Sequence, residues 1–339
     1  MKLKFFPIAP FPSSARLVVG VSGGSDSVAL FSFLKESLPH FERRLVIAHV
    51  NYGLRGKDSR KDEDFVRNLS REWGVRCRVL RVKNKNITGR SIQDWAREIR
   101  YGYFGSLVKR EKSWGVAIAH HLEDQAETVL DRLLRGAGPR GLSGLRSIQE
   151  LSIGPLYRSP LKIWRPLLSF SKIELQEYLL VRKITWREDT SNEKTLYRRN
   201  QIRHQIIPFL SKWNKGLIGK LAQTGEILSS EDAWLDRWIG EMILKLEEKR
   251  TTRRYALSQK KFQALDIAIQ RRIIRRGAEI LEPRARGLSF ERLEEALEVW
   301  SLKRQGPRDM GFGLSVGITD GELFIRKSGP ISHLPSRFF

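Results

Sequence analysis

Residues 18–30 read VVGVSGGSDSVAL. A β-branched apolar run stops at Ser22-Gly23-Gly24-Ser25-Asp26-Ser27, and from Val28 onward the apolar residues recur at helical spacing. The stretch therefore predicts a strand, a tight turn and a helix. Two adjacent glycines permit positive φ and a close approach of the backbone to a ligand, and a helix start leaves its first N–H groups unpaired. Such a turn holds an anion. It lacks the lysine with which a Walker A loop reaches a transferred γ-phosphate. Asp26 is the anomaly, because a carboxylate beside polyphosphate is repelled unless Mg²⁺ bridges the two or a base donor claims it; helix capping is the plainer alternative.

Working outward, residues 16–119 alternate between strand-like and helix-like patterns. Strands are predicted at 17–21, 45–50, 75–82 and 116–119, and helices at 28–38, 59–73 and 91–109. This alternation predicts an α/β fold with a parallel sheet covered by helices on both faces. Ligands of such sheets bind outside the carboxyl ends of the strands. The second strand runs into His49-Val50-Asn51-Tyr52-Gly53-Leu54-Arg55 and the fourth into His120-His121-Leu122-Glu123-Asp124-Gln125. A single histidine at a strand end is ordinarily structural, but two such clusters flanking a Gly-Gly-Ser turn point to a site. Adjacent histidines diverge in direction, so no resident metal centre is expected from His120 and His121.

The chain has 339 residues, enough for two or three domains. Its 62 basic and 38 acidic residues give a net charge of +24, which calls for a polyanionic partner, nucleic acid first. The excess is spread: residues 215–339 carry +6 and the first 214 carry +18. No apolar run approaches the roughly 18 residues that span a bilayer, and prolines interrupt the N-terminal MKLKFFPIAPFP, so neither a membrane protein nor a signal peptide is expected. A single cysteine, Cys77 in the strand-like VRCRVLRV, excludes an intrachain disulfide and a multi-cysteine metal site. A cytoplasmic enzyme or RNA-binding protein remains.

The SGGSDS turn after a strand resembles the PP-loop of ATP pyrophosphatases, which cleave ATP between the α- and β-phosphates and leave an adenylate on their substrate. Within that superfamily, AHHLEDQAETVLDRLLRGAGPRGLSGL (residues 119–145), HVNYGLRG (49–56), AREIRYGYF (96–104), RPLL (165–168), WREDTSN (186–192) and YRRNQIR (197–203) are similar to segments of bacterial tRNA(Ile)-lysidine synthetases. The likeness covers about the first 210 residues. It implies ATP-dependent ligation of free L-lysine to C2 of the wobble cytidine in an isoleucine tRNA with a CAU anticodon, through an adenylated base, with ATP and Mg²⁺ required and a homodimer left open. A PP-loop enzyme that thiolates tRNA is the alternative; such enzymes need catalytic cysteines. Tyr52 stands where that family commonly has a second histidine, and Leu145 where methionine is common, so neither is carried over.

The resemblance and the residue chemistry together name the site. Asp26, Asp124, Arg100 and Arg199 are expected to be catalytic. Ser22, Gly23, Gly24, Ser25, Asp26, Ser27, His49, Asn51 and His121 are expected to hold the nucleotide, with serine hydroxyls donating to phosphate. Arg97 and Arg100 lie three apart on one helix face, and Arg199 and Arg203 lie four apart on another. A guanidinium suits the charge that develops on the base oxygen or the α-phosphate. Arg55, Arg97, Arg140, Asn200, Arg203, Arg271 and Arg275 are expected to meet tRNA, Arg140 from a flexible glycine-rich loop over 136–144.

Beyond the motifs, Ser171 and Glu174 form a capping-box pattern that starts a helix through Leu180. A helix from Tyr197 is expected to end before Pro208. We place a catalytic PP-loop domain at 1–212 and a helical linker with a smaller, mixed α/β, basic tRNA-binding domain at 213–339. In the linker, Trp234 and Trp238 are read as core packing. Asp320-Gly321 between alternating runs predicts a hairpin over 314–326. The longer lysidine synthetases carry a further small C-terminal domain, and the length of this chain leads us to expect that it lacks one.

Overall fold

The structure, a computed structural model, describes residues 10–83, 91–151, 160–188, 198–301 and 306–328. Parts of two readings, the N-terminal segment before residue 10 and the end of WREDTSN through Tyr197, lie outside the described residues. The chain divides into two compact units after Ser230.

The first unit is built on a six-stranded sheet in the order β3-β2-β1-β4-β6-β5. The strands β1 (Leu17–Gly20), β2 (Leu45–Asn51), β3 (Arg76–Arg81), β4 (Val116–Ala117) and β6 (Leu161–Trp164) pair in parallel, with β3 at one edge, and β5 (Ile148–Leu151) closes the other edge antiparallel to β6. Successive residues of a strand face opposite sides, and here both sides are covered. Leu17 and Val19 join Leu45, Ile47 and the helices α1 (Ser25–Ser37), α3 (Lys57–Glu72) and α7 (Lys172–Val181) in one core, against which Phe41 of the short α2 (Phe41–Arg44) packs. Val18 and Ala48 join Tyr101, Phe104 and Leu107 of α4 (Ile92–Arg110) in the other. This is why the first strand reads as an unbroken apolar run. Gly20 ends β1 because α4 comes so close there that a Cβ would sit 2.9 Å from Phe104.

The carboxyl ends of β1 and β4 form the crevice, since successive connections leave β1 toward β2 on one side while β4 lies on the other. The capping-box reading holds: Ser171 accepts from the Glu174 N–H, and Glu174 accepts from the Ser171 N–H. The edge pair β5–β6 carried no recognised sequence signal. The glycine-rich stretch 136–144 is not the flexible loop expected: it contains a short helix, α6 (Pro139–Leu142), and the Arg132 guanidinium ties it by donating to the Gly141 and Gly144 carbonyls at 2.7 Å each.

The helix described from Arg198 onward does not stop before Pro208. It runs as α8 (Arg198–Gln201), a π-helical turn (Ile202–Ile206) and α9 (Ile207–Ser211). Proline lacks an N–H, and the wider turn just before it absorbs the interruption in the hydrogen-bond ladder. A single long helix, α10 (Leu217–Leu246), follows, and the division between the units falls within it.

The second unit contains β7 (Glu247–Arg250), β8 (Arg254–Ser258), β9 (Arg308–Gly311), β10 (Leu314–Thr319) and β11 (Glu322–Lys327) in one antiparallel sheet of order β7-β8-β11-β10-β9, with α11 (Gln259–Gln263), α12 (Ile267–Leu281) and α13 (Phe290–Trp300). Its core gathers Tyr255, Phe262, Ile273, Ile274, Trp300 and Ile325. The predicted hairpin is β10 (Leu314–Thr319) and β11 (Glu322–Lys327), joined by Asp320 and Gly321 at φ of 50° and 76°, the two positive values that a type I′ turn requires. Trp234 and Trp238 are not core residues: they are 57 % and 39 % exposed, with rings stacked 6.3 Å apart. No helix among the described residues is long and apolar enough to cross a membrane.

Candidate active site

The turn after β1 is held by its own serines. Gly23 takes φ 104°, accessible only without a side chain, and Ser27 Oγ accepts from the N–H groups of Ser22 (3.1 Å) and Gly23 (3.2 Å) while donating to the Gly24 carbonyl. Ser22 Oγ lies 3.0 Å from Ser27 Oγ. Ser27 thus shapes the loop, a role different from the direct phosphate donor expected of it. What the turn offers an anion is the start of α1, where the first-turn N–H groups have no partner within the helix.

A cavity of about 230 Å³ opens over this turn. Gly20, Ser22, Gly24, Asp26 and Ser27 form its floor, and Tyr52, Arg100, Phe104 and His120 stand around it. Tyr52 is oriented by donating its hydroxyl to the Ala96 carbonyl at 3.0 Å. Arg97 and Arg100 both lie against the Tyr101 ring, at 4.8 and 5.5 Å, and only Arg100 lines the cavity.

His121 links this cavity to the carboxylates of α5 (Leu122–Leu133). Its Nε2 lies 3.6 Å from Asp26 and 3.5 Å from Asp124, and its Nδ1 is 2.8 Å from Glu123. Burial pulls the imidazole down, but the Glu123 hydrogen bond and the charges of Asp124 and Asp26 outweigh it and raise its pKa above the ordinary histidine value. Asp124 is buried, which pushes its carboxyl up, yet the His121 charge, the Arg199 guanidinium and the hydrogen bond from the His121 N–H hold it below the usual carboxylate range.

Arg199 and Arg203 do share a face. Arg199 donates to Asp124 (2.6 Å) and Glu127 (2.9 Å), and Arg203 binds the same two carboxylates. Asn200 sits between them on α8. Next to this cluster is a second pocket of about 270 Å³, framed by His121, Glu123, Glu127, Lys172 and Arg203 with Ile173, Ile207 and Ile218 as its apolar wall.

Several expected site residues have internal partners. His49 is buried with Nδ1 2.9 Å from the Val21 carbonyl, and burial lowers its pKa. Asn51 donates to Glu63 and accepts from the Gly53 N–H, both at 2.9 Å, so it shapes the chain leading from Tyr52. Arg55 pairs with Asp62 at 2.7 Å. In the second unit Arg271 is held bidentately by Glu294, at 2.7 and 2.8 Å, and Arg275 donates to the Leu288 carbonyl. Arg140 lies in α6, half-buried. His120 belongs to the polar cluster after the fourth predicted strand but is not among the expected site residues, being weighed by itself only as a metal ligand with His121; the structure puts it in the cavity lining.

For Mg²⁺, no cluster of three or more His, Cys, Asp or Glu suited to a metal exists among the described residues. A magnesium ion needs only one or two carboxylates when substrate phosphates and water complete its shell. Asp26, 31 % exposed on the cavity floor, fits that requirement.

A family model described as the PP-loop domain matches residues 3–210. The chain belongs to the PP-loop family. Among curated proteins it is 34% identical over 309 residues to the tRNA(Ile)-lysidine synthase of Solibacter usitatus, covering 90% of this chain and 66% of that one. It is 39% identical over 236 residues to the tRNA(Ile)-lysidine synthase of Geobacter sulfurreducens, covering 69% and 48%. The chain therefore spans about half to two thirds of the length of these relatives. A solved PP-loop neighbour, the U34-tRNA thiolase NcsA from Methanococcus maripaludis with its 4Fe–4S cluster, superposes with a TM-score of 0.52 at 20% identity over 64% of this chain and 72% of that one, which establishes a shared fold.

Proposed function

We propose that this PP-loop protein is a tRNA(Ile)-lysidine synthase, joining free L-lysine to C2 of the wobble cytidine of an isoleucine tRNA with a CAU anticodon. The cytidine C2 oxygen attacks the α-phosphorus of ATP and pyrophosphate leaves; the side-chain amine of lysine then attacks C2, and AMP departs with the former C2 oxygen. The start of α1 binds the phosphates, and Arg100 faces the charge developing on the α-phosphate and the base oxygen. Asp26 would hold Mg²⁺, which neutralises polyphosphate charge when bound.

The observation that carries this reading is the pair of pockets meeting at Asp26 and His121. The first suits a nucleotide. The second combines carboxylates, cations and an apolar wall, the chemistry of an amino acid with an aliphatic, ammonium-tipped side chain. The named relatives support the same conclusion. Thiolation is less well supported, because the chain's single cysteine lies in β3 with its thiol pushed up to about 11 by burial, far from a thiolate nucleophile.

Incubation with ATP, labelled lysine and tRNA, followed by mass measurement of the anticodon fragment, tests the proposal. The expected gain is one lysine less water, with pyrophosphate released only for tRNA bearing an unmodified CAU anticodon. Equal release with every tRNA, or exchange of oxygen for sulfur, overturns it.

A further inference from the structure

Arg165, the first residue of the RPLL motif, directly follows β6, the inner strand of the edge pair that the sequence did not announce. It is 2 % exposed. Its Nε donates to His120 Nδ1 at 2.9 Å, one terminal nitrogen to the Arg146 carbonyl at 2.8 Å, and the other to Gln149 Oε1 at 3.0 Å. Its own N–H is fixed to the Ser147 carbonyl at 2.7 Å. These hydrogen-bond partners are all neutral. Among the described residues no carboxylate pairs with it; a buried cation so placed is costly, and a fold keeps one where the charge has a task.

The task follows from the donor inventory. A guanidinium has five N–H donors and no acceptor. The His120 nitrogen that meets it must therefore offer a lone pair. That leaves the ring proton on Nε2, and because Nδ1 is closed off, any polar contact His120 makes within the nucleotide cavity is made by Nε2 as a donor.

We propose that Arg165 is a positioning residue that locks His120 as a neutral, Nε2-protonated donor aimed at the anionic oxygens of the adenylation step. This rests on the nucleotide-transfer reading above. The charges around the ring agree with the geometry. Burial comes first and disfavours the charged ring; the Asp124 carboxylate invites a proton, Arg165, Arg199 and Arg100 oppose one, and the net effect pushes His120 down to about 3. Unlike His121, it stays uncharged throughout the working range and gives a constant hydrogen bond. The role also explains β5 and β6: Gln149 and the strand-preceding carbonyls of Arg146 and Ser147 come from the β5 arm, and together they orient the guanidinium under the carboxyl end of β4.

The test uses the full chain labelled with ¹⁵N-histidine, the His120 signals being assigned by their loss in His120→Asn. Long-range ¹H–¹⁵N correlation should show His120 with Nε2 protonated and Nδ1 bare from about pH 5 to 8. Arg165→Met should mix the tautomers or introduce a titration. It should lower the turnover of tRNA-dependent pyrophosphate release by about 10- to 100-fold with little change in the affinity for tRNA. Arg165→Lys, which retains a charged donor, should recover part of the loss. Arg165→Met added to His120→Asn should cost nothing further. A protonated Nδ1 in the unaltered protein, an unchanged spectrum in Arg165→Met, or multiplicative losses in the double variant overturns the proposal. If no tRNA supports pyrophosphate release, the function proposed above fails while the spectra still decide this one; if Arg165→Met does not fold, the unaltered protein and Arg165→Lys decide it.

Discussion

Arg199 Nη2 lies 2.6 Å from Asp124 Oδ1, while the other oxygen of that carboxylate, Oδ2, accepts the His121 N–H at 3.1 Å. Asp124 therefore joins the π-turn-bearing helix to the start of α5 and fixes His121 beside Asp26. Glu127, one turn further along α5 and 1 % exposed, completes the clasp by accepting from both Arg199 and Arg203. Breaking a buried pair by removing one charge leaves the other uncompensated, at a cost of about 3–5 kcal/mol. Glu127→Gln is expected to lower stability by roughly 3 kcal/mol in urea titration, the lower end because both arginines are partly exposed. Asp58→Asn breaks the exposed Lys61 pair at 3.1 Å and should leave the urea midpoint essentially where it is in the unaltered protein. Equal effects would show that the clasp is ordinary surface chemistry.

Asp26 has a different character. It sits half-buried on the cavity floor, with Ser25 Oγ donating to it at 3.0 Å, and no arginine within salt-bridge distance appears among the described residues. Asp26→Asn keeps its shape and removes its charge, so turnover measured by pyrophosphate release should fall more than about 100-fold. The dissociation constant for tRNA should change less than about twofold. Parallel loss of both would make Asp26 a structural residue.

Much of this is legible in the amino-acid sequence. The turn SGGSDS, the alternating strands and helices, the Ser171 cap and the Asp320-Gly321 hairpin are local signals, each set by a few neighbouring residues, and each appears where it was read. What could not be read is the pairing of side chains far apart in sequence. Asn51 and His49 carry polar groups suited to a nucleotide, yet Glu63 and the Val21 carbonyl reach them first. The strands β5 and β6 are four residues each, too short to show a period. The helix through Pro208 defied a sound local rule because a π-helical turn offered a second way to accommodate the missing N–H. Trp234 and Trp238 matched helical spacing but stack on each other outside the core.

The histidines make the stability depend on pH with opposing signs. His121 has a raised pKa in the folded protein, so the folded state binds its proton more tightly than the unfolded chain does. Its contribution is complete below the ordinary value of about 6.5 and is lost as pH rises through the raised one. His49 and His120 are lowered, so the unfolded chain binds their protons more tightly, and stability rises with pH from the lowered values up to the ordinary one, above which their contribution is complete. Subtracting the urea-midpoint profile of His121→Gln from that of the unaltered protein isolates the first effect. The difference should decline with rising pH above about 6.5; a difference that grows would assign the raised pKa to another group.

The basic surface predicts a steep salt dependence of tRNA affinity, and the ion pairs say which cations contribute to it. Each cation that meets a phosphate releases a counterion and adds about 0.7–0.9 to the slope of log affinity against log salt. Arg271 is already matched by both oxygens of Glu294, so moving it onto a phosphate would strand that carboxylate. Lys260, exposed on α11, has no ion-pair partner among the described residues. Between about 50 and 200 mM salt the unaltered protein should lose at least tenfold in affinity. Lys260→Gln should flatten the slope by a little under one, and Arg271→Gln should leave it unchanged while lowering the melting temperature slightly. A slope reduced by Arg271→Gln instead would mean that tRNA displaces Glu294, turning this ion pair from a structural contact into part of the RNA-binding face.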